Sequence, residues 1–189
     1  TTLFRSQATP WKSFTYGPLF RHERPQKGRL REFNQINSEI IGSDSIYQDA
    51  QFIKMFERLF QEDFNLDEYA LIINFLGCKQ DRNSFKIILN NFLETVLDKI
   101  CNTCKERKDK NIMRVFDCKN EACQTTYANA PHLTNHLCSE CNTEWTILKN
   151  ELENLSVSYS HVPTLVRGLD YYDKTVFEFF KNTCVNQNA

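Results

Sequence analysis

From Phe14 to Ile41 apolar and polar positions alternate with a period of two on either side of Pro25 to Gly28. That pattern predicts a β-hairpin with long arms. A helix is expected next, capped by Ser43, Asp44 or Ser45, with Ile46, Ala50, Ile53, Phe56 and Phe60 on its apolar face. "EYALIINFLG" reads as a buried strand ending at Gly77. "SFKIILNNFLETVLDKI" reads as a second amphipathic helix, with Phe85, Leu89, Phe92, Val96 and Ile100 on one side. Between Cys101 and Cys141 the apolar runs shorten and cysteines become frequent, as in a small module with little core of its own. "EWTILKNELENL" predicts a helix facing inward through Trp145, Leu148 and Leu152. "VSYSHV" and "TVFEFF" predict strands flanking "PTLVRGLDYYDK". The succession predicts an α+β fold with an insertion: core over 1–77, insertion over 78–155, and a return to the core over 156–189.

Residues two apart on a strand share a face. Arg21 and Glu23 therefore point one way on the outgoing arm. Arg29, Arg31, Phe33, Gln35, Asn37 and Glu39 share a face on the return arm, while Leu30, Ile36 and Ile40 take the other, where a core is expected. Guanidinium groups near a turn suit phosphate oxygens, through charge and a directed fork of donors. Phe33 offers a flat surface for a base, and Glu23 an acceptor for an exocyclic amine. Gln35 and Glu39 suit a polar, cationic small molecule. A nucleoside triphosphate beside an amino acid would engage every member of the stripe; the plain alternative is a solvated strand face.

Charge sharpens this picture. The 189 residues carry a formal net charge of -1, with 25% charged and 41% hydrophobic. The basic cluster is therefore local, which argues against a chain that coats nucleic acid throughout. No apolar run has the length of a membrane span and no signal peptide opens the chain, so a cytoplasmic protein is expected. The chain starts at Thr1 without Met and stops soon after an apolar run, so a fragment of a longer protein is expected.

Eight cysteines without a secretion signal favour metal binding or packing over disulfides. Cys101-x2-Cys104 and Cys138-x2-Cys141 are two knuckles that together would make a tetrahedral structural zinc site. Cys118 and Cys123 offer a second choice of ligands, and His132 or His136 could replace a thiolate. The alternative is a set of reduced, partly buried thiols. Cys78 and Cys184 stand alone and read as packing residues.

"FRHERPQKGRLREF" closely resembles motif 2 of class II aminoacyl-tRNA synthetases in its histidyl-tRNA synthetase form, and "LVRGLDYYDKTVFEF" resembles the histidine-binding signature of the same family. "KNIMRVFDCKN" and "NAPHL", between them, resemble the family's insertion, so the resemblance covers nearly the whole chain. It implies an antiparallel catalytic sheet flanked by helices, with a mostly helical insertion. It also implies ATP and L-histidine as substrates, Mg²⁺ on the phosphates, tRNA(His) as acceptor, and a homodimer in the full-length protein. Arg21 would meet the α-phosphate, Glu23 the adenine amine, Arg29 the γ-phosphate and Phe33 the adenine ring. Gln35, Glu39 and Tyr172 would hold histidine. Arg167 would touch both the histidine carboxylate and the α-phosphate. Arg21 and Arg167 would be the catalytic pair.

Each assignment has a plainer counterpart. Arg167 could simply pair with Asp170 or Glu178. Tyr171, opposite Tyr172 in the alternation, reads as core, and His22 as structural. Arg24 and Lys27 read as turn and surface charges. Lys105, Arg107, Lys108, Lys110 and Arg114 form either a surface for the tRNA acceptor arm or a solvated face. A family paralogue, the histidine-sensing regulatory subunit of ATP phosphoribosyltransferase, is the rival function; it tends to lose the motif 2 residues that are present here. A zinc-stabilised RNA-binding module is a third reading. Motif 1, motif 3 and an anticodon-binding domain are not found, and Thr1 or Thr2 would be the remnant of a further histidine loop. Little or no aminoacylation is therefore expected from these residues alone.

Overall fold

A computed structural model of the chain describes residues 8–22, 29–66, 68–168 and 171–181. The chain divides into two compact units, residues 1–48 and 49–189. The first is built on an antiparallel hairpin of β1 (Trp11–Phe20) and β2 (Glu32–Ile41), in register from Trp11↔Ile41 to Phe20↔Glu32. The backbone bond from Arg21 N–H to the Arg31 carbonyl, 2.8 Å, carries the ladder one step further. The expected turn at Pro25 to Gly28 lies outside the described residues, as do Glu23, Arg24 and Lys27.

Helix α1 (Ile46–Arg58) follows, with Ser43 Oγ accepting from the Ser45 N–H just before it. Ile46, Ala50 and Ile53 are buried as its periodicity predicts. Its last turn widens into a π-helical stretch at Leu59–Asp63. The second unit holds a three-stranded sheet in the order β4-β3-β5. Strand β3 (Tyr69–Phe75) pairs antiparallel with β5 (Thr175–Lys181), and parallel with the short β4 (Ser160–His161). The strand expected over "VSYSHV" thus shrinks to two residues.

The helices of this unit are α2 (Lys79–Glu94), α3 (Asn102–Lys110), α4 (Glu121–Tyr127) and α5 (Ser139–Asn154). α2 begins before the expected "SFK", because Cys78 and Asp81 close a capping box at its start. Trp145, Leu148 and Leu152 of α5 are buried as expected, with Trp145 stacked on Phe75 at 5.6 Å between centroids.

Two expectations need correcting. The cysteine-rich module does not lack a core. Cys104, Val115, Cys123, Tyr127 and Leu133 are buried in one cluster with Phe85, Leu89 and Leu93 of α2. Short helices with few apolar residues can share a neighbour's core, which a local reading of hydropathy does not see. On the hairpin, Leu30 and Ile36 are 63% and 51% exposed, and Phe14, Tyr16 and Phe20 are exposed as well. The face expected to meet a core is open in this structure. Alternation separates two faces without saying which is covered.

Candidate functional site

The hairpin register fixes what the polar stripe can do. On its face, Phe33, Gln35, Asn37 and Glu39 stand directly opposite Leu19, Gly17, Thr15 and Ser13. Beyond Leu19 those partners are all small, and Gly17, across from Gln35, has open space where a Cβ would stand. The long polar side chains are thus not covered by their own hairpin. Arg21 lies diagonally from Phe33, within reach for a long side chain, and its guanidinium carbon sits 4.5 Å from the Phe33 ring centroid. Its Nε donates to the Leu30 carbonyl at 2.8 Å, which anchors the fork to the return arm. A guanidinium stacked on a ring and anchored by one donor is oriented before any anion arrives. Further along, Asn37 Nδ2 donates to Glu39 Oε1 at 2.8 Å and orients that carboxylate on the same face. Arg29 is exposed beside the turn. His22 is exposed too, so it is not a packing residue.

The second unit positions the "LVRGLDYY" segment through one residue that pattern reading passed over. Asn74, in the apolar run of β3, is 1% exposed. Its Nδ2 donates to the carbonyls of Pro163 and Leu165 at 3.0 and 2.9 Å, and its Oδ1 meets His161 Nε2 at 3.2 Å. A buried amide in the middle of a strand had to have partners. Here they are the backbone that leads into Arg167.

Arg167 donates from Nη1 to Glu178 Oε1 at 2.9 Å, and its guanidinium carbon lies 5.3 Å from the Tyr172 ring centroid. The plain ion pair foreseen for Arg167 is therefore present, alongside contact with the predicted histidine-pocket tyrosine. Arg167 and Tyr172 line a small pocket with Leu76, Arg82, Lys86, Met113 and Val166. Tyr171 is 71% exposed and stacks on Tyr172 at 4.6 Å, so the expectation that it is core is wrong. A hydrogen bond with Tyr171 holds the Tyr172 phenol below its ordinary range. Leu169 and Asp170 lie outside the described residues.

Several of the predicted insertion cations are engaged with neighbours. Lys108 pairs with Glu94 at 2.7 Å, Arg114 with Asp117 at 3.3 Å, and Lys110 with Glu106 at 3.9 Å. Arg107 donates to the Arg114 carbonyl.

The cysteines gather differently from the expected pairing. Cys101 and Cys104 meet Cys118 and Cys123, while Cys138 and Cys141 meet Cys78 and Asp81; in each group all ligand atoms lie within 4.8 Å of one another. The set Cys101, Cys104, Cys138 and Cys141 is thus split between two places, and Cys78 is not a lone packing residue. Spacing identifies a knuckle but not its partner. Cys184 lies outside the described residues.

In the four-cysteine group, the Cys101 and Cys118 sulfurs are 3.8 Å apart. That is too long for a disulfide and close to the ~3.8 Å edge of a tetrahedron with zinc–sulfur bonds of about 2.3 Å. The Cys101 N–H donates to Cys123 Sγ, and the Asn120 N–H to Cys118 Sγ. Hydrogen bonding from the Cys104 backbone pulls the Cys101 thiol down to about 7. Burial pushes Cys104 and Cys123 up. Buried thiols of this kind ionise together only around a cation. The donor set is right for zinc.

Comparison with known proteins identifies the family. The family model for the tRNA synthetase class II core domain (G, H, P, S and T) matches residues 1–188. A histidine–tRNA ligase of Nitratiruptor sp. is 48% identical over 176 residues, 93% of this chain and 43% of that protein. One from Clostridium perfringens is 41% identical over 177 residues, 94% of this chain and 43% of that protein. The crystal structure of apo Staphylococcus aureus histidyl-tRNA synthetase superposes with a TM-score of 0.70 at 30% identity, covering 94% of this chain and 40% of that one. The chain thus spans about two-fifths of the length of these relatives. With a family model matched from end to end, this chain belongs to the class II tRNA synthetase core-domain family.

Proposed function

We propose that the protein containing this chain is a histidine–tRNA ligase. It activates histidine with ATP and passes the histidyl group to the 3′ end of tRNA(His). The observation that carries the reading is the hairpin face: Arg21 held over Phe33, with Gln35 and the oriented Glu39 further along the same face. The naming of its relatives as histidine–tRNA ligases supports it.

In the first half-reaction a histidine carboxylate oxygen bonds to the α-phosphorus, and the bond to the β-phosphate bridging oxygen breaks. Histidyl-adenylate and pyrophosphate result. An anion must approach an anion, so fixed cations are the main catalytic device. Arg21 serves the α-phosphate. Arg167 serves the same phosphate and the substrate carboxylate. Arg29 serves the γ-phosphate, Phe33 the adenine ring and Glu23 its amine. Mg²⁺, when bound with ATP, would offset part of the phosphate charge.

Gln35, Glu39 and Tyr172 hold the histidine side chain. A carboxylate accepts from one ring nitrogen and a phenol serves the other, so analogues without the ring nitrogens would leave those groups unpaired. In the second half-reaction a ribose hydroxyl of the tRNA's terminal adenosine attacks the acyl carbon and AMP leaves. Residues 78–155 form the insertion, with structural zinc on Cys101, Cys104, Cys118 and Cys123. Among the described residues no helix is long and apolar enough to cross a membrane. The full-length protein works as a cytoplasmic homodimer.

The test is ATP–pyrophosphate exchange with the full-length protein. Exchange should require histidine and be unsupported by the other amino acids. Histidine binding without any exchange would favour the regulatory-subunit rival and overturn the reading.

Asn74 gives a second expectation. Asn74→Ala leaves two part-buried carbonyls without the amide donor, a cost of about 1–3 kcal/mol. It should also raise the KM for histidine more than that for ATP, because the backbone it releases leads into Arg167. Denaturant unfolding and paired KM measurements check both halves.

A further inference from the structure

The geometry points to a second metal site, independent of the aminoacylation reading: a zinc ion held by Cys78, Asp81, Cys138 and Cys141. The four ligand atoms lie within 4.8 Å of one another. Cys141 is 2% exposed and Asp81 4% exposed. Three thiolates and one carboxylate gathered this closely suit zinc over harder cations, which prefer all-oxygen sites.

The arrangement repeats one local design. Cys78 caps α2 and Asp81 sits three residues on; Cys138 caps α5 and Cys141 sits three residues on. Cys101 and Cys104 stand in the same two positions on α3. "CKQD" is thus a knuckle in which aspartate replaces the second cysteine. In such a knuckle both ligands face the helix N-terminus, where backbone N–H groups and the helix dipole stabilise negative charge. The Cys141 N–H donates to Cys138 Sγ at 3.4 Å, and the Asp81 N–H to the Cys78 sulfur.

Asp81 is placed with care for an ordinary cap. Oδ2 accepts from the Cys78 N–H at 3.2 Å, and Oδ1 from the Cys138 N–H at 3.0 Å, a link across 57 residues. Gly77, immediately before the knuckle, has a φ of 58°. A Cβ there would lie 2.6 Å from Asp81 Oδ2 and 2.7 Å from Leu137 Cδ2. Only glycine both adopts this backbone and leaves the carboxylate its room. The site therefore joins the point where the chain leaves β3 to the point where α5 begins, closing the long excursion between them.

Metal content and zinc-edge X-ray absorption of the full-length protein, purified without chelator, provide the test. Two zinc ions per chain are expected, with an average shell of about 3.5 sulfurs and 0.5 light atoms, from one four-sulfur site and one three-sulfur site. The double variant Cys138→Ser/Cys141→Ser should fall to one zinc with a shell of about four sulfurs. The variant Cys101→Ser/Cys104→Ser should keep one zinc with about three sulfurs and one oxygen or nitrogen. The absorption measurement on the unaltered protein stands even if a variant fails to fold. A single zinc with four sulfurs in the unaltered protein, retained by Cys138→Ser/Cys141→Ser, would overturn the inference. Its failure would leave histidine-dependent exchange untouched, so the two readings fall separately.

Discussion

Arg21→Ala in the full-length protein should lower histidine-dependent ATP–pyrophosphate exchange by about a hundredfold to a thousandfold. Removing one preorganised donor from developing charge costs about 3–4 kcal/mol of transition-state stabilisation. The loss should fall mainly on kcat, because the cation acts on charge that grows at the α-phosphorus rather than on the resting substrates. Arg21→Lys should recover only part of it. A lysine restores the charge but neither the fork nor the flat contact with Phe33, which lies 4.5 Å from the Arg21 guanidinium. Folding is not at stake in this test: a cation–π contact near the surface is worth about 0.5–1 kcal/mol. Arg167→Ala should give a loss of similar size, with a larger rise in KM for histidine. Breaking the Arg167–Glu178 pair accounts for little of that loss. Its side chains are 40% and 45% exposed, so the pair contributes at most about 1 kcal/mol. Exchange by Arg21→Ala within threefold of the unaltered protein would remove this residue from the chemistry.

What could be read from the sequence depended on the range of the physics involved. The stripe from Arg21 to Glu39 was legible because strand periodicity is local: two residues apart means one face, whatever the rest of the chain does. The C-x2-C knuckles at Cys101 and Cys138 were legible for the same reason, since each declares itself within four residues, although neither was read as the helix cap it is. Which cysteines come together was not legible. Cys101 and Cys104 meet Cys118 and Cys123 rather than Cys138 and Cys141, a choice made by packing around Val115 and Tyr127. Asp81 went unread because a carboxylate in a knuckle looks like any helix-capping acid. The C-x2-D spacing directly after Gly77 was the available signal. Asn74 carried a signal too, as the lone amide in "ALIINFLG", but its partners at Pro163 and Leu165 lie some ninety residues away. The open hairpin face shows the converse limit. Ile36 was put opposite the polar stripe, where it pairs with Tyr16, yet nothing local states what covers that face.

Removing metal from the four-cysteine site should melt the surrounding segment before the rest of the unit. In small zinc-folded peptides the ion supplies about 10–16 kcal/mol of apparent folding free energy, against a total of about 5–15 kcal/mol for a typical domain. Here the effect should be smaller and local, because Cys104, Val115 and Cys123 also pack in a core continuous with α2. A strong chelator at neutral pH should strip hydrogen-exchange protection from residues 101–127 while β3 and β5 keep theirs, since that ladder does not depend on the thiols. Acid should act in the same direction as chelator. Metal binding needs thiolates, so protons compete with the ion, and retention should fall as pH falls. Hydrogen bonding holds Cys101 at about 7, while the buried Cys104 and Cys123 resist ionisation without a cation. Over residues 101–127, Cys101→Ser/Cys104→Ser should reproduce the chelated exchange pattern at every pH. If exchange over residues 101–127 is the same with and without metal, the ion is not what holds this segment, and the shared apolar core suffices alone.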